Sequence, residues 1–167
     1  MEEKFFVSVI IPVYNAERFL IESVNSALRL EEVGEVILIE DRSPDNALEL
    51  CKKLEADYKK VRLLTHTNNE NRGAGASRNL GIKNARFEYI AFLDADDKYL
   101  LNRFKKDKEK FQKYNKIDAV YSKTVLKNEK NEILREYGFD DDIRTRIGVE
   151  AKPEKFYKES LKIRKSL

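Results

Sequence analysis

Three aspartates stand within four positions of one another at the end of an apolar run. The segment Tyr89–Leu100 reads YIAFLDADDKYL, and it places Asp94, Asp96 and Asp97 directly after Leu93. Carboxylates this close repel one another unless water or a cation lies between them. The cluster therefore predicts either a solvated acidic turn before the next helix or a metal site at the end of a buried strand.

The spacing of the aspartates agrees with the second interpretation. In an extended chain residues two apart point the same way, so Asp94 and Asp96 would share a face while Asp97 turns aside. Mg²⁺ is typically held by one or two carboxylates together with substrate phosphates. Such an ion would offset the negative charge of a diphosphate leaving group. A bare Asp-x-Asp is more typical of a solvated turn, so the choice depends on what lies around it.

Apolar runs, mostly rich in β-branched residues, alternate with stretches of helical character along the chain. Strands separated by helices form right-handed crossovers, which give a mainly parallel sheet covered on both faces. We therefore predict an α/β protein with a three-layer α/β/α, Rossmann-like fold. The predicted strands lie at residues 6–12, 35–41, 61–66, 88–97 and 117–126, and the predicted helices at 16–30, 44–60, 76–86 and 98–116.

Polar residues follow each of the first four predicted strands. The sequences VYN, EDRS, HTNNENRG and DADD begin at residues 13, 40, 66 and 94. In sheets of this kind ligands bind beyond the carboxyl ends of the strands. Four polar clusters on one edge of one sheet predict a binding site, and they favour the metal interpretation of the aspartates.

Several side chains in these clusters have the chemistry to bind a nucleotide. Asp41 could accept a hydrogen bond from a base or a ribose hydroxyl, or it could cap a helix. Tyr14 and Asn15 could flank a planar base, or they could form an ordinary turn. Arg72 and Arg78 could meet phosphates or pair with the aspartates. The residues alone leave each of these alternatives open.

The composition narrows the class of protein. The 167 residues suffice for one domain, and 33 basic residues are interspersed with 30 acidic ones, which argues against a nucleic-acid partner. One cysteine, Cys51, excludes an internal disulfide, fits a cytoplasmic location and is predicted to pack in a helix. No apolar run approaches the roughly 20 residues of a membrane span, so none is expected. The lone histidine, His66, is predicted to be structural.

Four ordered motifs now resemble a known family. They read VSVIIPVYNAERFLIESVNSAL, ILIEDRSPDNALEL, NRGAGASRNLGI and YIAFLDADD, and they extend from Val7 to Asp97. The sequences of these motifs and their order along the chain resemble those of the donor-binding half of the family 2 glycosyltransferases of the GT-A fold. The resemblance implies that the chain binds a nucleotide-sugar, most often a UDP-sugar, with Mg²⁺ or Mn²⁺.

Because the motifs match the family pattern, the resemblance also implies roles for individual residues of this chain. The resemblance implies that Pro12, Tyr14 and Asn15 line the nucleoside pocket. It implies that Asp41 hydrogen-bonds the uracil and that Arg72 contacts the base or the phosphates.

The remaining matches concern the sugar-diphosphate end. The resemblance implies that Arg78 helps to hold the donor, that Asp94 lies near the ribose and that Asp96 ligates the metal under the diphosphate.

Two features depart from the family pattern. The usual Asp-Asp-Gly-Ser is Glu40-Asp41-Arg42-Ser43 here, and Arg42 does not easily adopt the positive φ that glycine allows. Inverting members also use a carboxylate base, often in a Glu-Asp pair, and no such pair follows Leu126. The catalytic base is therefore unassigned, and we expect residues 1–126 to form the donor-binding core and 127–167 to begin an incomplete acceptor-side region.

Two functions remain open for this chain. The first is metal-dependent, inverting transfer of a sugar to an unknown glycan, lipid-linked or other hydroxyl acceptor, at the inner face of a membrane where that acceptor is membrane-bound. The second is a truncated nucleotide-sugar-binding module without turnover. A phosphatase, a receiver domain or a nucleotidyltransferase fits less well, because PVYNAE after the first strand lacks the motif that each of them needs there.

Overall fold

The computed structural model describes residues 5–114, 116–120, 124–127 and 132–137. The chain divides into two compact units, residues 1–105 and 106–167. The first unit contains four strands and three α-helices among its described residues. These are β1 (Val7–Val13), α1 (Leu20–Leu28), β2 (Val33–Glu40), α2 (Ala47–Asp57), β3 (Val61–Thr65), α3 (Gly73–Asn84) and β4 (Tyr89–Phe92).

The four strands form one parallel sheet in the order β3-β2-β1-β4. Strands β1 and β2 are buried along almost their whole length, so both faces of the sheet centre are covered. This explains why their sequences are mostly apolar and do not alternate regularly with polar residues; the exceptions are Ser8, Glu35 and Glu40. The predicted α/β/α fold with a parallel central sheet is confirmed.

The helices pack on the sheet through small or branched residues. Helix α1 buries Leu20, Val24 and Ala27, which recur at helical spacing within the predicted helix 16–30. Helix α3 approaches the sheet so closely that a Cβ on Gly81 would lie 2.4 Å from the Ile10 side chain. A larger residue at that position would have to push α3 away from β1.

The structure differs from the predictions after residue 97. The helix predicted over residues 98–116 begins later and is shorter: residues 101–104 form turns, and helix α4 spans Lys105–Lys113. The predicted strand 117–126 is largely wrong: residues 117–120 are not a strand. Strand β5 (Thr124–Lys127) instead pairs antiparallel with β6 (Ile133–Tyr137), and residues 121–123 lie outside the described part.

A buried ion-pair network closes the amino-terminal edge of the sheet. Glu35 of β2 accepts hydrogen bonds from the Ser8 hydroxyl (2.8 Å) and the Arg86 backbone N–H (2.7 Å), and Arg62 of β3 donates to its other oxygen at 2.8 Å. Arg62 also donates to the Asn84 carbonyl at 3.0 Å. The network joins three strands to the segment between α3 and β4.

These contacts set the ionisation of Glu35. Burial by itself would raise the pKa of this carboxyl, but the hydrogen bonds from Arg62, the Arg86 N–H and Ser8 hold the pKa below its usual value. Because the folded-state pKa is lowered, Glu35 contributes stability above its unfolded pKa, and this stability is lost as the pH falls through the folded value.

We expect Glu35→Gln to lower the free energy of unfolding at about pH 7 by roughly 2–4 kcal/mol, because Arg62 then loses its buried charge partner. The difference from wild type should shrink as the pH is lowered from about 7 through the folded-state pKa of Glu35, because the wild-type carboxyl then takes up a proton and also loses its charge. Urea unfolding across this pH range measures it. The control is Glu49→Gln, whose exposed pair with Lys52 should contribute almost nothing. A loss that does not change with pH would contradict the assignment.

Candidate functional site

A cleft lies at the carboxyl-terminal edge of the parallel sheet, where the strand order reverses around β1. Strands β2 and β4 lie on opposite sides of β1 in the sheet. Where the strand order reverses in this way, a crevice opens between the loops that follow the strands. The cleft has a volume of about 290 Å³. Its lining residues come from the end of β1, from the loops after β1, β2 and β4, and from α3; they are Pro12, Val13, Tyr14, Asn15, Ala16, Phe19, Asp41, Ala74, Arg78, Asp94, Ala95 and Asp96.

Asp41 is the most buried acidic side chain of the cleft, with 3% of its surface exposed. One of its carboxylate oxygens accepts the backbone N–H of Arg72 and the other that of Gly73, each at 2.7 Å. These N–H groups belong to the start of α3 and have no partner within the helix. Asp41 is therefore a helix cap, but of α3 and not of the helix that follows it in sequence.

His66 and Ser77 complete the surroundings of Asp41. The Nε2 atom of His66 lies 3.0 Å from the Ser77 hydroxyl and 3.5 Å from Asp41 Oδ1. A catalytic Ser-His-Asp triad needs the serine and the aspartate on different ring nitrogens. Here both contact Nε2, and Ser77 is completely buried, so this group is not a nucleophilic triad.

The aspartate cluster forms a turn and not an extended strand end. Strand β4 ends at Phe92, and the backbone N–H of Asp97 donates to the Asp94 carbonyl at 2.9 Å. Asp94 and Asp96 still line the cleft together, and Asp97 does not, as predicted from alternation. Asp94 also accepts a hydrogen bond from Arg78 at 2.6 Å.

Negative charge is crowded in this turn. Desolvation, followed by the neighbouring carboxylates of Asp96 and Asp94, raises the pKa of Asp97. Arg78 pairs with Asp94, and no ion pair to Asp96 or Asp97 is found among the described residues. A cation would relieve this repulsion.

The sequence of the chain matches the family description "Glycosyl transferase family 2" over residues 8–165. The chain belongs to glycosyl transferase family 2. It is thus a glycosyltransferase-family chain, and its parallel four-stranded sheet is the central sheet of the GT-A fold.

Curated relatives are longer than this chain. It is 43% identical over 107 residues to an uncharacterized glycosyltransferase of Rickettsia conorii, covering 64% of this chain and 16% of the relative. It is 32% identical to Glycosyltransferase GlyG of Streptococcus pneumoniae, covering 81% and 40%. It is also 32% identical to the poly(ribitol-phosphate) beta-glucosyltransferase of Bacillus spizizenii, covering 93% and 25%. The chain therefore spans less than half of each.

Solved structures share the fold. S. aureus TarS 1-349 in complex with UDP-GlcNAc is 29% identical with a TM-score of 0.54, covering 65% of this chain and 31% of that one. The mannosyltransferase PcManGT from Pyrobaculum calidifontis in complex with GDP-Man and Mn²⁺ is 18% identical with a TM-score of 0.58, covering 75% and 36%. At that identity the second likeness concerns the fold alone.

The cleft brings together seven of the eight site residues predicted for this glycosyltransferase chain. Arg72 is the exception, because its side chain is exposed and does not line the cleft, while its backbone N–H holds Asp41. Helical spacing with Leu20 and Val24 would place Phe19 in the core face of the predicted helix 16–30, yet Phe19 is 44% exposed and lines the cleft. Its position directly before α1, in a loop that follows β1, is the signal that points to the cleft. The seven that line the cleft are Pro12, Tyr14, Asn15, Asp41, Arg78, Asp94 and Asp96.

Cys51 has no part in this site. It is buried in α2, as predicted, and burial together with Glu40, Asp45 and Glu55 raises the pKa of its thiol to about 12. Within the described ranges no group of three or more His, Cys, Asp or Glu side chains has the arrangement of a metal site. Nor does any helix in those ranges have the length and hydropathy of a membrane span.

Arg42 adopts the backbone conformation that the family's glycine would favour. Its φ is 58°, in the left-handed region. The buried Glu40 holds the turn by accepting the Ser43 backbone N–H at 2.5 Å, and the Ser43 hydroxyl accepts the Asn15 N–H at 3.2 Å. The loop after β2 is thus hydrogen-bonded to the loop after β1. Arg42 is held at a positive φ, which is unfavourable for a residue with a Cβ atom.

We expect Arg42→Gly to raise the free energy of unfolding by up to about 1 kcal/mol, because glycine adopts this φ without a Cβ clash. Chemical denaturation measures the change. Arg42→Ala is the matched control: it removes the same charge but keeps the Cβ, so it should not stabilise the protein. Equal stabilisation by both substitutions would show that charge and not φ is responsible.

Proposed function

We propose that this chain forms the donor-binding part of a glycosyltransferase that moves a sugar from a UDP-sugar to an acceptor hydroxyl. The observation that carries the proposal is the cleft at the reversal point of the sheet, which combines an aromatic ring, buried and exposed carboxylates and an arginine. The UDP-GlcNAc bound by the related TarS fragment supports a uridine nucleotide as the donor.

The nucleoside would bind between the loops after β1 and β2. Tyr14 is 55% exposed beside the cleft, so its ring has a free face for a planar base. Pro12 and Asn15 would line the same pocket. Asp41 would accept the uracil N–H with the acceptor capacity that its two backbone partners leave free.

The sugar-diphosphate end would lie between α3 and the turn after β4. Asp94 would meet the ribose, and Arg78, which already holds Asp94, would help to hold the donor. Arg72 is exposed at the start of α3, so it would reach the base or phosphates only by a change of side-chain conformation.

A divalent cation, Mg²⁺ or Mn²⁺, fits the turn after β4. Asp96 would be its protein ligand, since this exposed carboxylate lines the cleft and its charge adds to that of Asp94 and Asp97. One or two carboxylates with diphosphate oxygens and water form the usual shell of Mg²⁺. When bound, the ion would supply charge stabilisation for the departing diphosphate.

Direct displacement by an acceptor hydroxyl would invert the sugar's configuration and would need a base to remove the hydroxyl proton. That base is not assigned. We propose that residues 1–126 form the donor-binding core and that 127–167 begin the acceptor side, whose glycan, lipid-linked or other hydroxyl substrate is unknown. A cytoplasmic location, at the inner face of a membrane where the acceptor is membrane-bound, belongs to the same proposal and rests on the single cysteine.

A nucleotide-sugar-binding module without turnover is the second candidate. It is favoured by the fact that no Glu-Asp pair, the usual context of the carboxylate base in this family, stands between Leu126 and Leu167. The two candidates share the donor site and differ in transfer. Incubation of the chain with UDP-GlcNAc and Mn²⁺ separates them, because transfer or steady release of UDP would exclude the binding module.

We expect UDP to bind in calorimetry with Mn²⁺ and at least about tenfold more weakly without it, because the ion links the diphosphate to Asp96. Asp96→Ala should abolish the dependence on Mn²⁺. Asp57→Ala, which removes an exposed carboxylate at the end of α2, is the control and should bind like wild type. Absence of UDP binding by the folded wild-type chain in both conditions would overturn the proposed donor.

A further inference from the structure

We propose that His66 is a positioning residue for nucleotide recognition: it fixes the carboxylate of Asp41 in the orientation that receives the base. The inference rests on the proposed function for its ligand and on the geometry around Asp41 for its mechanism. His66 stands directly after β3, and it does not line the cleft itself.

His66 joins three elements at one buried point. It follows β3, Asp41 follows β2, and Ser77 lies in α3. The exposed fractions of these three residues are 7%, 3% and 0%, so the contacts among them are made with little competition from bulk water. Polar groups buried in this way are costly unless they satisfy one another.

The contacts assign the hydrogen on His66 to Nε2. Asp41 Oδ1 lies 3.5 Å from this nitrogen, and the Ser77 hydroxyl oxygen lies 3.0 Å from it. A bare nitrogen lone pair facing a carboxylate oxygen would be repelled, whereas an N–H there is attracted to both oxygens. His66 therefore acts as a donor that is hydrogen-bonded to Ser77 and directed also towards Asp41.

Counting acceptor positions shows what this leaves for a ligand. The two oxygens of a carboxylate offer about four acceptor positions. The N–H groups of Arg72 and Gly73 take one on each oxygen, and His66 faces a further one on Oδ1. The free position is thus on Oδ2. Any rotation of the carboxylate would break two backbone hydrogen bonds and leave the N–H of His66 without its charged neighbour.

This arrangement separates the base from the diphosphate. Asp41 lies in the loop after β2, where His66 contacts it, whereas Arg78, Asp94 and Asp96 lie near the turn after β4. Loss of the His66 N–H should therefore weaken recognition of the base and leave the binding of a metal–diphosphate unchanged. A residue that served stability alone would change both together.

The first measurement compares UDP with inorganic pyrophosphate, each in the presence of Mn²⁺, by calorimetry. His66→Leu removes the donor, and His66→Gln supplies a side-chain N–H near the place of Nε2. We expect His66→Leu to weaken UDP at least about tenfold and pyrophosphate less than about twofold, and His66→Gln to restore most of the UDP affinity. Glu70→Gln, an exposed change in the same loop, should match wild type.

The second measurement needs no ligand. His66 is the only histidine of the chain, so its ring nitrogens give unambiguous NMR signals. In the wild type we expect the ring hydrogen of His66 on Nε2. In His66→Leu we expect faster hydrogen exchange of the Arg72 and Gly73 amides. The exchange of the Val9 amide in β1 should not change.

The two measurements have separate consequences. If wild type binds pyrophosphate but not UDP, the proposed donor fails, and the amide exchange still decides whether His66 positions Asp41. If UDP and pyrophosphate weaken equally in His66→Leu, or the exchange of the two amides does not change, the positioning role is overturned.

Discussion

The parallel pairing of β1 with both β2 and β4 is the constraint on which the rest of this structure depends. Because β1 lies at the centre of the sheet and both of its faces are covered, its residues are buried and are apolar except for Ser8, which is hydrogen-bonded to Glu35. For the same reason the loops after all three strands leave from one edge. The chain connections to β2 and to β4 lie on opposite sides of β1. The loops that follow these strands therefore diverge, and the cleft is the space between the loops.

The two edges of the sheet differ in how completely their carboxylates are paired with cationic side chains. At the amino-terminal edge Glu35 is buried, accepts three short hydrogen bonds and is paired with Arg62, so its charge is fully compensated within the protein. At the carboxyl-terminal edge Asp94 has one cationic partner, while Asp96 adds negative charge to the same cleft. The first arrangement stabilises a fold, and the second is suited to a cationic or metal-bound ligand.

Asp41 belongs to both the fold and the site. Its carboxylate caps α3 through two backbone N–H groups, and its side chain also lines the cleft. Its two hydrogen bonds therefore couple the position of this cleft carboxylate to the start of α3. The neighbouring His66 and Ser77 extend this coupling to β3 and to the body of α3.

The sequence by itself determined the strand order along the chain, the parallel sheet and the edge at which polar residues gather, because apolar runs and helical spacing are local patterns. Seven of the eight site residues predicted from it line the cleft, since motifs directly after strands must lie at that edge. Only the tertiary structure decided that Asp41 caps α3 and that Arg72 contributes its backbone. These facts depend on contacts between residues about 30 positions apart, such as Asp41 with Arg72 and Gly73, and no local pattern encodes such contacts.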